Sequence, residues 1–298
     1  MCPAVSLSDE RAGLRPRSRA SHADSLAFAV TRTFLGSQRQ VHSTVKAHLV
    51  QLDIAWEDPV SNFESVRNLT DKAVISPGDL LVLPEMFDTG FSFRIERTSD
   101  TSGRTLAFLS ELADELKVTV QGGRTIAPCH ASAARNVMSV VAPGNAVLVE
   151  YTKIHPFQRE AERFEPGREI VTYSWEGLRV CPAICYDLRF PELFRQGMRL
   201  GADVFALGAC WPALRAHHWR ALLIARAIEN QAYVFGVNRT GKDPMLHYAG
   251  GSIAISPKGD ILGELTEAPG ILSVEVNPAA AAEWRSAFPA LKDARLLG

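Results

Sequence analysis

Three side chains in this sequence are of types that can break a polar bond, and each follows a short apolar run. Cys185 follows Val180-Cys181-Pro182-Ala183-Ile184, Glu85 follows Leu80-Leu81-Val82-Leu83-Pro84, and Lys153 follows Val149-Glu150-Tyr151-Thr152. A reactive residue at the end of such a run is what a strand's carboxyl end offers in an α/β sheet, where neighbouring strands open on a shared crevice. A cysteine at a strand-to-helix turn has the geometry of a nucleophile elbow. The free backbone N–H groups of that turn can hold an oxyanion and favour a thiolate. Glu85 sits among Leu83, Met86 and Phe87, where lost hydration would raise it towards a usable general base. Lys153 beside the thiol would lower the thiol's pKa from its usual ~8.5. Each residue also has a plainer reading. A lone cysteine is most often a small buried apolar residue, the role assigned to Cys129, Cys181 and Cys210. A strand-end carboxylate can stand in water, and a strand-end lysine can be surface charge. Three such strand ends in one chain point to one site.

The elements that would hold these residues are legible in the hydrophobic pattern. Residues 45–52 alternate like a strand, and Ser61-Asn62-Phe63-Glu64 offers a capping box for a helix with Phe63, Val66 and Leu69 inward. Leu106, Leu109, Ala113 and Leu116 mark a second helix before a strand at 118–122. Pro143-Gly144-Asn145 is a hairpin signal between 137–142 and 146–151. A strand at 178–184, a helix opened by Pro191 and running to Met198, a strand at 202–207, a helix at 217–229 and a strand at 233–237 follow. β-rich sequence surrounds Pro257-Lys258-Gly259-Asp260. Alternating elements with inserted hairpins imply an α/β fold: mixed sheets covered by helices in a single domain of about 250 residues. Residues 1–44 stand apart. They are rich in arginine and serine without a sustained hydrophobic period, and Asp9, Glu10 and the lack of an apolar h-region argue against a targeting segment. They read as a disordered or extraneous tail.

Composition narrows the function. Lys+Arg of 32 against Asp+Glu of 33 gives a net charge of -1, too balanced to grip nucleic acid or anionic lipid by charge. No apolar run approaches the ~18–20 residues that span a bilayer. Five cysteines in a long chain argue for thiols in a reducing, cytoplasmic setting rather than a disulfide framework. The expected partner is a small molecule.

Taken together, Leu83-Pro84-Glu85, Lys153-Ile154-His155-Pro156-Phe157, the block Ile184-Cys185-Tyr186-Asp187-Leu188-Arg189-Phe190-Pro191-Glu192-Leu193 and Ala225-Arg226-Ala227-Ile228-Glu229-Asn230-Gln231 resemble a known family. With Gly236-Val237-Asn238-Arg239 and Tyr248-Ala249-Gly250-Gly251-Ser252 they span about residues 45–295. They resemble the carbon-nitrogen hydrolases of the nitrilase superfamily, most closely the amidase branches, omega-amidase and Nit-type proteins among them. The resemblance implies a four-layer αββα sandwich with two mixed β-sheets over 45–298, a Glu-Lys-Cys triad, no cofactor or metal, and a homodimer or higher homo-oligomer. It makes Glu85 the general base, Cys185 the nucleophile, Lys153 an oxyanion stabiliser, and the Tyr186 backbone N–H a second oxyanion donor. The family also has a second glutamate between the lysine and cysteine blocks. Counting back from Phe164 and Gly167 favours Glu160 for it, and counting forward from Lys153 favours Glu162, with a narrow preference for Glu160. Phe157, Arg189, Trp211 and His218, with Tyr186, Phe87 and Phe91, could shape a pocket for a small acid amide. Arg189 would then pair with a substrate carboxylate; its plainer reading is a salt bridge to Asp187, Glu192 or another acid. Arg226 and Glu229 resemble a family segment that supports the site and the neighbouring subunit; their plainer reading is a solvated i,i+3 ion pair.

The implied chemistry is hydrolysis of a carboxylate-bearing amide through a thioester. The alternatives are an N-carbamoyl amidohydrolase, a nitrilase, or a metabolite-binding homologue without turnover. Three rivals fail on residues. Gly236 to Lys242 has the spacing of a phosphate loop, but Asp243 stands where Ser or Thr is required and Pro244 opposes the helix. Cys181, Cys185, His217 and His218 lack zinc-site spacing, and no G-x-S-x-G supports a serine hydrolase.

Overall fold

The computed structural model describes residues 45–127 and 133–295. The tail expected at 1–44 and the buried role expected of Cys129 lie outside the described residues. Strand β1 (Val45–Gln51) is followed by helix α1 (Pro59–Thr70), strand β2 (Leu80–Val82), a helical turn α2 (Ile95–Thr98), helix α3 (Arg104–Leu116) and strand β3 (Thr119–Ile126). Strands β4 (Arg135–Ala142) and β5 (Ala146–Thr152) form a hairpin; then come β6 (Tyr173–Trp175), β7 (Leu178–Ile184), α4 (Pro191–Arg199) and β8 (Val204–Ala209). Helix α5 (Ala216–Asn230) and β9 (Tyr233–Asn238) precede β10 (Thr240–Lys242), β11 (His247–Ala249), β12 (Ile253–Ile255), β13 (Ile261–Glu264), β14 (Gly270–Val276) and α6 (Ala280–Ala287).

Two six-stranded sheets result, ordered β14-β1-β2-β3-β4-β5 and β13-β12-β9-β8-β7-β6, with β10 and β11 as a separate ribbon. Each is mixed. β1, β2 and β3 are parallel in the first, β7, β8 and β9 in the second, and the flanking strands run antiparallel. The period-2 alternation of strands explains the layering. Ala47, Leu49, Leu80 and Val82 of the first sheet pack with Val180, Val204, Ala206 and Phe235 of the second, so the sheets meet face to face. Their neighbours Val50 and Leu81 turn the other way, onto Val66 of α1 and Phe108, Leu109 and Leu112 of α3. On the far side Ala183, Phe205, Leu207 and Val234 meet Phe194 of α4 and Trp219, Leu223 and Ala227 of α5. The result is the four-layer αββα sandwich.

Several expectations shift in detail. β1 is buried on both faces over its last five residues instead of alternating between core and solvent, because one face meets a sheet and the other meets helices. Helix α1 begins three residues earlier than the Ser61–Glu64 box suggests: Asp58 is its N-cap, accepting from the Ser61 backbone N–H at 3.2 Å, and Pro59 opens the first turn. Val66 is buried as expected, while Phe63 and Leu69 are only partly covered. The strand expected at 118–122 runs on to Ile126, because it pairs with β4 along its length. The Pro143-Gly144-Asn145 turn joins β4 to β5, with Gly144 and Asn145 both at positive φ. The phosphate-loop spacing is strand on both sides, with Gly236 inside β9 and Gly241 inside β10.

Candidate active site

The three reactive residues lie just past strand carboxyl ends: Glu85 after β2, Lys153 after β5 and Cys185 after β7. Glycines let these ends crowd together. A Cβ on Gly123 of β3 would sit 2.7 Å from the Glu85 Cα, and one on Gly208 of β8 would sit 2.9 Å from the Glu85 backbone N. Glu85 is therefore wedged between the two sheets. Cys185 itself stands at φ 45°, a left-handed conformation that L side chains rarely adopt and that concentrates at functional turns. It opens a 3-10 turn (Cys185–Arg189) as the elbow geometry requires.

Lys153 and Glu85 are fully buried and form one cluster with Glu160. The Lys153 Nζ donates to Glu85 Oε1 at 2.7 Å and to Glu160 Oε2 at 2.8 Å. The Asn136 amide donates to both carboxylates, at 2.8 and 2.9 Å. The Cys210 backbone N–H donates to Glu85 Oε2 at 2.9 Å, and the Phe157 backbone N–H to Glu160 Oε2 at 2.6 Å. Glu162, the other residue considered for the second glutamate, is exposed and among the described residues pairs only with Arg159.

Burial and charge in this cluster together shift the thiol's pKa. Burial works against the Lys153 ammonium, but Glu160 and Glu85 outweigh it and hold its pKa well above the ordinary lysine range. Burial pushes Glu160 up, opposed by Lys153. For Cys185, burial and then the Glu85 carboxylate raise the pKa, and Lys153 offsets them only partly. Lys153 thus acts on the thiol in the expected direction, but burial and then Glu85 outweigh it.

A third buried carboxylate holds the loops in register. Asp187 Oδ2 accepts from the Tyr151 hydroxyl at 2.7 Å and the Ile184 backbone N–H at 3.1 Å, while Oδ1 accepts from the His155 backbone N–H at 3.0 Å. It joins the Cys185 turn to the strand that carries Lys153. Arg226 steadies the same turn by donating to the Leu188 carbonyl at 2.8 Å. The pair Arg226–Glu229 exists at 2.9 Å, but Arg226 is buried rather than solvated.

Above Cys185 opens a pocket lined by Phe91, Phe157, Tyr186, Arg189, Cys210, Trp211, Arg215 and Tyr248 among others. Phe157, Tyr186, Arg189 and Trp211 thus stand at the site, as does Phe91. His218 stands behind it, its Nδ1 3.2 Å from the Arg189 guanidinium. Phe87 belongs to the core, packed with Phe63 and Phe108. Arg189 has none of the acidic partners of its plainer reading among the described residues; it lies instead over Trp211, with its Cζ 4.8 Å from the ring centroid. Cys181 is a buried core thiol as expected, whereas Cys210 is buried but lines the pocket. Asn136, Asp187 in its strut role, Cys210 and Arg215 are the residues that sequence reasoning passes over. Cys210 was within reach of the strand-end rule, since it follows β8 directly.

Comparison with known proteins agrees with this architecture. The profile of the Carbon-nitrogen hydrolase family matches residues 46–286. The 2-oxoglutaramate amidase of Bacillus subtilis is 34% identical over 250 residues, covering 83% of this chain and 96% of that protein. The omega-amidase YafV of Escherichia coli K12 is 35% identical over 254 residues, covering 84% and 96%. The crystal structure of XC1258 from Xanthomonas campestris, a CN-hydrolase superfamily protein with an arsenic adduct in its active site, superposes with a TM-score of 0.79 at 35% identity, covering 84% of this chain and 97% of that one. With its sandwich of two mixed sheets and a profile match over most of its length, the chain belongs to the carbon-nitrogen hydrolase family of the nitrilase superfamily and is a hydrolase of carbon–nitrogen bonds other than peptide bonds.

Proposed function

We propose that the chain is a cysteine-dependent amidase that cleaves the terminal amide of a short acid bearing a free carboxylate, the kind of substrate for which its omega-amidase and 2-oxoglutaramate amidase relatives are named. The observation that carries this reading is the buried Glu85–Lys153–Glu160 cluster beneath a pocket that holds both Cys185 and an arginine, Arg189, with no acid partner among the described residues.

Glu85 takes the Cys185 proton as Sγ attacks the amide carbon, forming the C–S bond. This transfer moves a negative charge from carboxylate to sulfur without adding one, which reconciles a high resting thiol pKa with attack. The carbonyl oxygen becomes an oxyanion held by the remaining N–H of Lys153 and the Tyr186 backbone N–H. Collapse breaks the C–N bond, and the proton on Glu85 passes to the departing nitrogen as ammonia leaves. Water then gives a proton to Glu85 and attacks the thioester; the thiol departs with that proton and the acid is released. Glu160 holds Lys153 in place and orders the attacking water. Arg189 receives the substrate carboxylate.

Ammonia release should be measured for carboxylate-bearing ω-amides, neutral aliphatic amides, N-carbamoyl compounds and nitriles. We predict release from the ω-amides that vanishes in Cys185→Ala. Turnover confined to N-carbamoyl compounds or nitriles, undiminished turnover in Cys185→Ala, or no turnover at all would overturn the reading.

A further inference from the structure

We propose that Arg215 is a specificity-determining residue which, with Arg189, selects amides whose acid end carries a 2-oxo group beside the carboxylate. The inference rests on the amidase reading above and deepens it. Both arginines line the cavity that holds Cys185. Several arginines elsewhere, among them Arg67, Arg94, Arg124, Arg220, Arg226 and Arg285, have acidic partners. Arg189 and Arg215 have none among the described residues, and each guanidinium lies on an aromatic face instead. Arg189 Cζ is 4.8 Å from the Trp211 ring centroid, and Arg215 Cζ is 5.3 Å from that of Phe157.

The two are parts of one assembly. The Trp211 indole N–H donates to the Arg215 carbonyl at 2.8 Å, so the turn that carries one arginine orients the ring beneath the other. His218 accepts from Arg189 at 3.2 Å, and lost hydration together with the positive charges of His217, Arg189 and Arg215 holds it below its ordinary pKa. Two half-buried guanidinia are thus set in place without an anion.

The size of the cavity limits what can meet them. Cys185, Arg189 and Arg215 border one small cavity of about 30 Å³, so a short acid attached at Cys185 presents its far end to a lining that holds both arginines. One guanidinium fork satisfies one carboxylate. The second guanidinium then faces the substituent on the neighbouring carbon, where a 2-oxo group supplies an electron-rich acceptor and a methylene supplies none.

The test compares kcat/KM for 2-oxoglutaramate, glutaramate, which lacks only the oxo group, and neutral pentanamide. Wild type should favour the oxo amide over glutaramate by about 10-fold or more, the worth of a hydrogen bond to a charged group. Arg215→Gln should bring that ratio towards one, Arg215→Lys should restore part of it, and Arg189→Gln should lower glutaramate relative to pentanamide. An unchanged oxo-to-plain ratio in Arg215→Gln, or equal losses on all three amides, overturns the role of Arg215 while leaving the amidase reading standing. Failure of wild type on every one of the three overturns both.

Discussion

At the base of the pocket one ammonium serves two carboxylates, and Asn136 spans the same pair from the other side. Removing Lys153 therefore does two things: it takes away the proposed oxyanion donor and leaves two like charges buried together. We predict that Lys153→Ala loses at least about 100-fold in kcat and is destabilised by roughly 3–5 kcal/mol, read from single-turnover kinetics and urea melts; a variant with wild-type kcat would remove Lys153 from the chemistry. Asn136→Asp should cost more activity than Asn136→Ala, because it adds a third carboxylate to a site already in charge deficit. Equal losses in the two variants would count against that electrostatic account. Among the thiols, burial pushes Cys181 up to about 12, and it should resist iodoacetamide throughout the neutral range. Mass mapping of the alkylated chain would show this, and early labelling of Cys181 would contradict it. At this scale the proposed catalytic trio is legible in the sequence, because an apolar run that ends on Cys, Lys or Glu is a local signal. Asn136 and Asp187 are not legible. Each is a single polar residue whose partners come from strands distant in sequence, and nothing periodic marks it.

Elements owe their ends to side chains as much as to propensity. Helix α3 begins after Gly103, at positive φ, and its first N–H groups are met by Asp100, whose carboxylate accepts from Thr105 at 2.9 Å and Leu106 at 3.1 Å. The same carboxylate pairs with buried Arg124 at 2.8 Å. Asp100→Ala should cost about 1–3 kcal/mol, since it removes both the cap and one of the two carboxylates that meet buried Arg124, Glu150 being the other; a loss below ~1 kcal/mol in denaturant titration would show that the cap alone was at stake. Nearby Asp88 accepts from the Thr105 hydroxyl at 2.7 Å, yet burial pushes its carboxyl up to about 6, with Asp100 adding to the rise. A folded-state pKa above the unfolded value of 3.8 means stability that is fully present below that value and lost as pH rises through about 6. The loss is on the order of 3 kcal/mol. Asp88→Asn should flatten the stability profile between about pH 4 and pH 7, and an unaltered slope would place the titration elsewhere. The sequence marks α4 and β7 well, Pro191 and an unbroken apolar run being unambiguous. It misplaces the start of α1, because Ser61 and Glu64 satisfy the capping pattern as well as Asp58 does, and only the packed chain chooses.

The whole molecule brings the site together where two sheets meet. Glu85, Asn136 and Lys153 come from the first sheet, and Cys185, Cys210 and Trp211 from the second. Gly208 lies at that meeting: a Cβ there would stand 2.7 Å from the Leu83 carbonyl oxygen and 2.9 Å from the Glu85 backbone N. We predict that Gly208→Ala shifts Glu85 and lowers kcat by at least about tenfold, with a smaller change in KM. Full activity in a folded Gly208→Ala variant would refute the tight coupling of the sheets. Alternation of β and α segments made the fold class readable from the chain alone. Which strands become neighbours was not readable, since sheet order is settled by packing of faces that look alike in sequence.

The Asp187 strut and the wedged position of Glu85 confine the bond-breaking groups to a rigid frame, whereas Arg215 rides on a short turn between β8 and α5, and its neighbour Leu214 is exposed. Novelty is therefore cheap at the rim and ruinous at the base. A few changes within Ala213–Arg215 can retune which acid is admitted while the reaction stays the same, so selection for a new diet would act on that turn first.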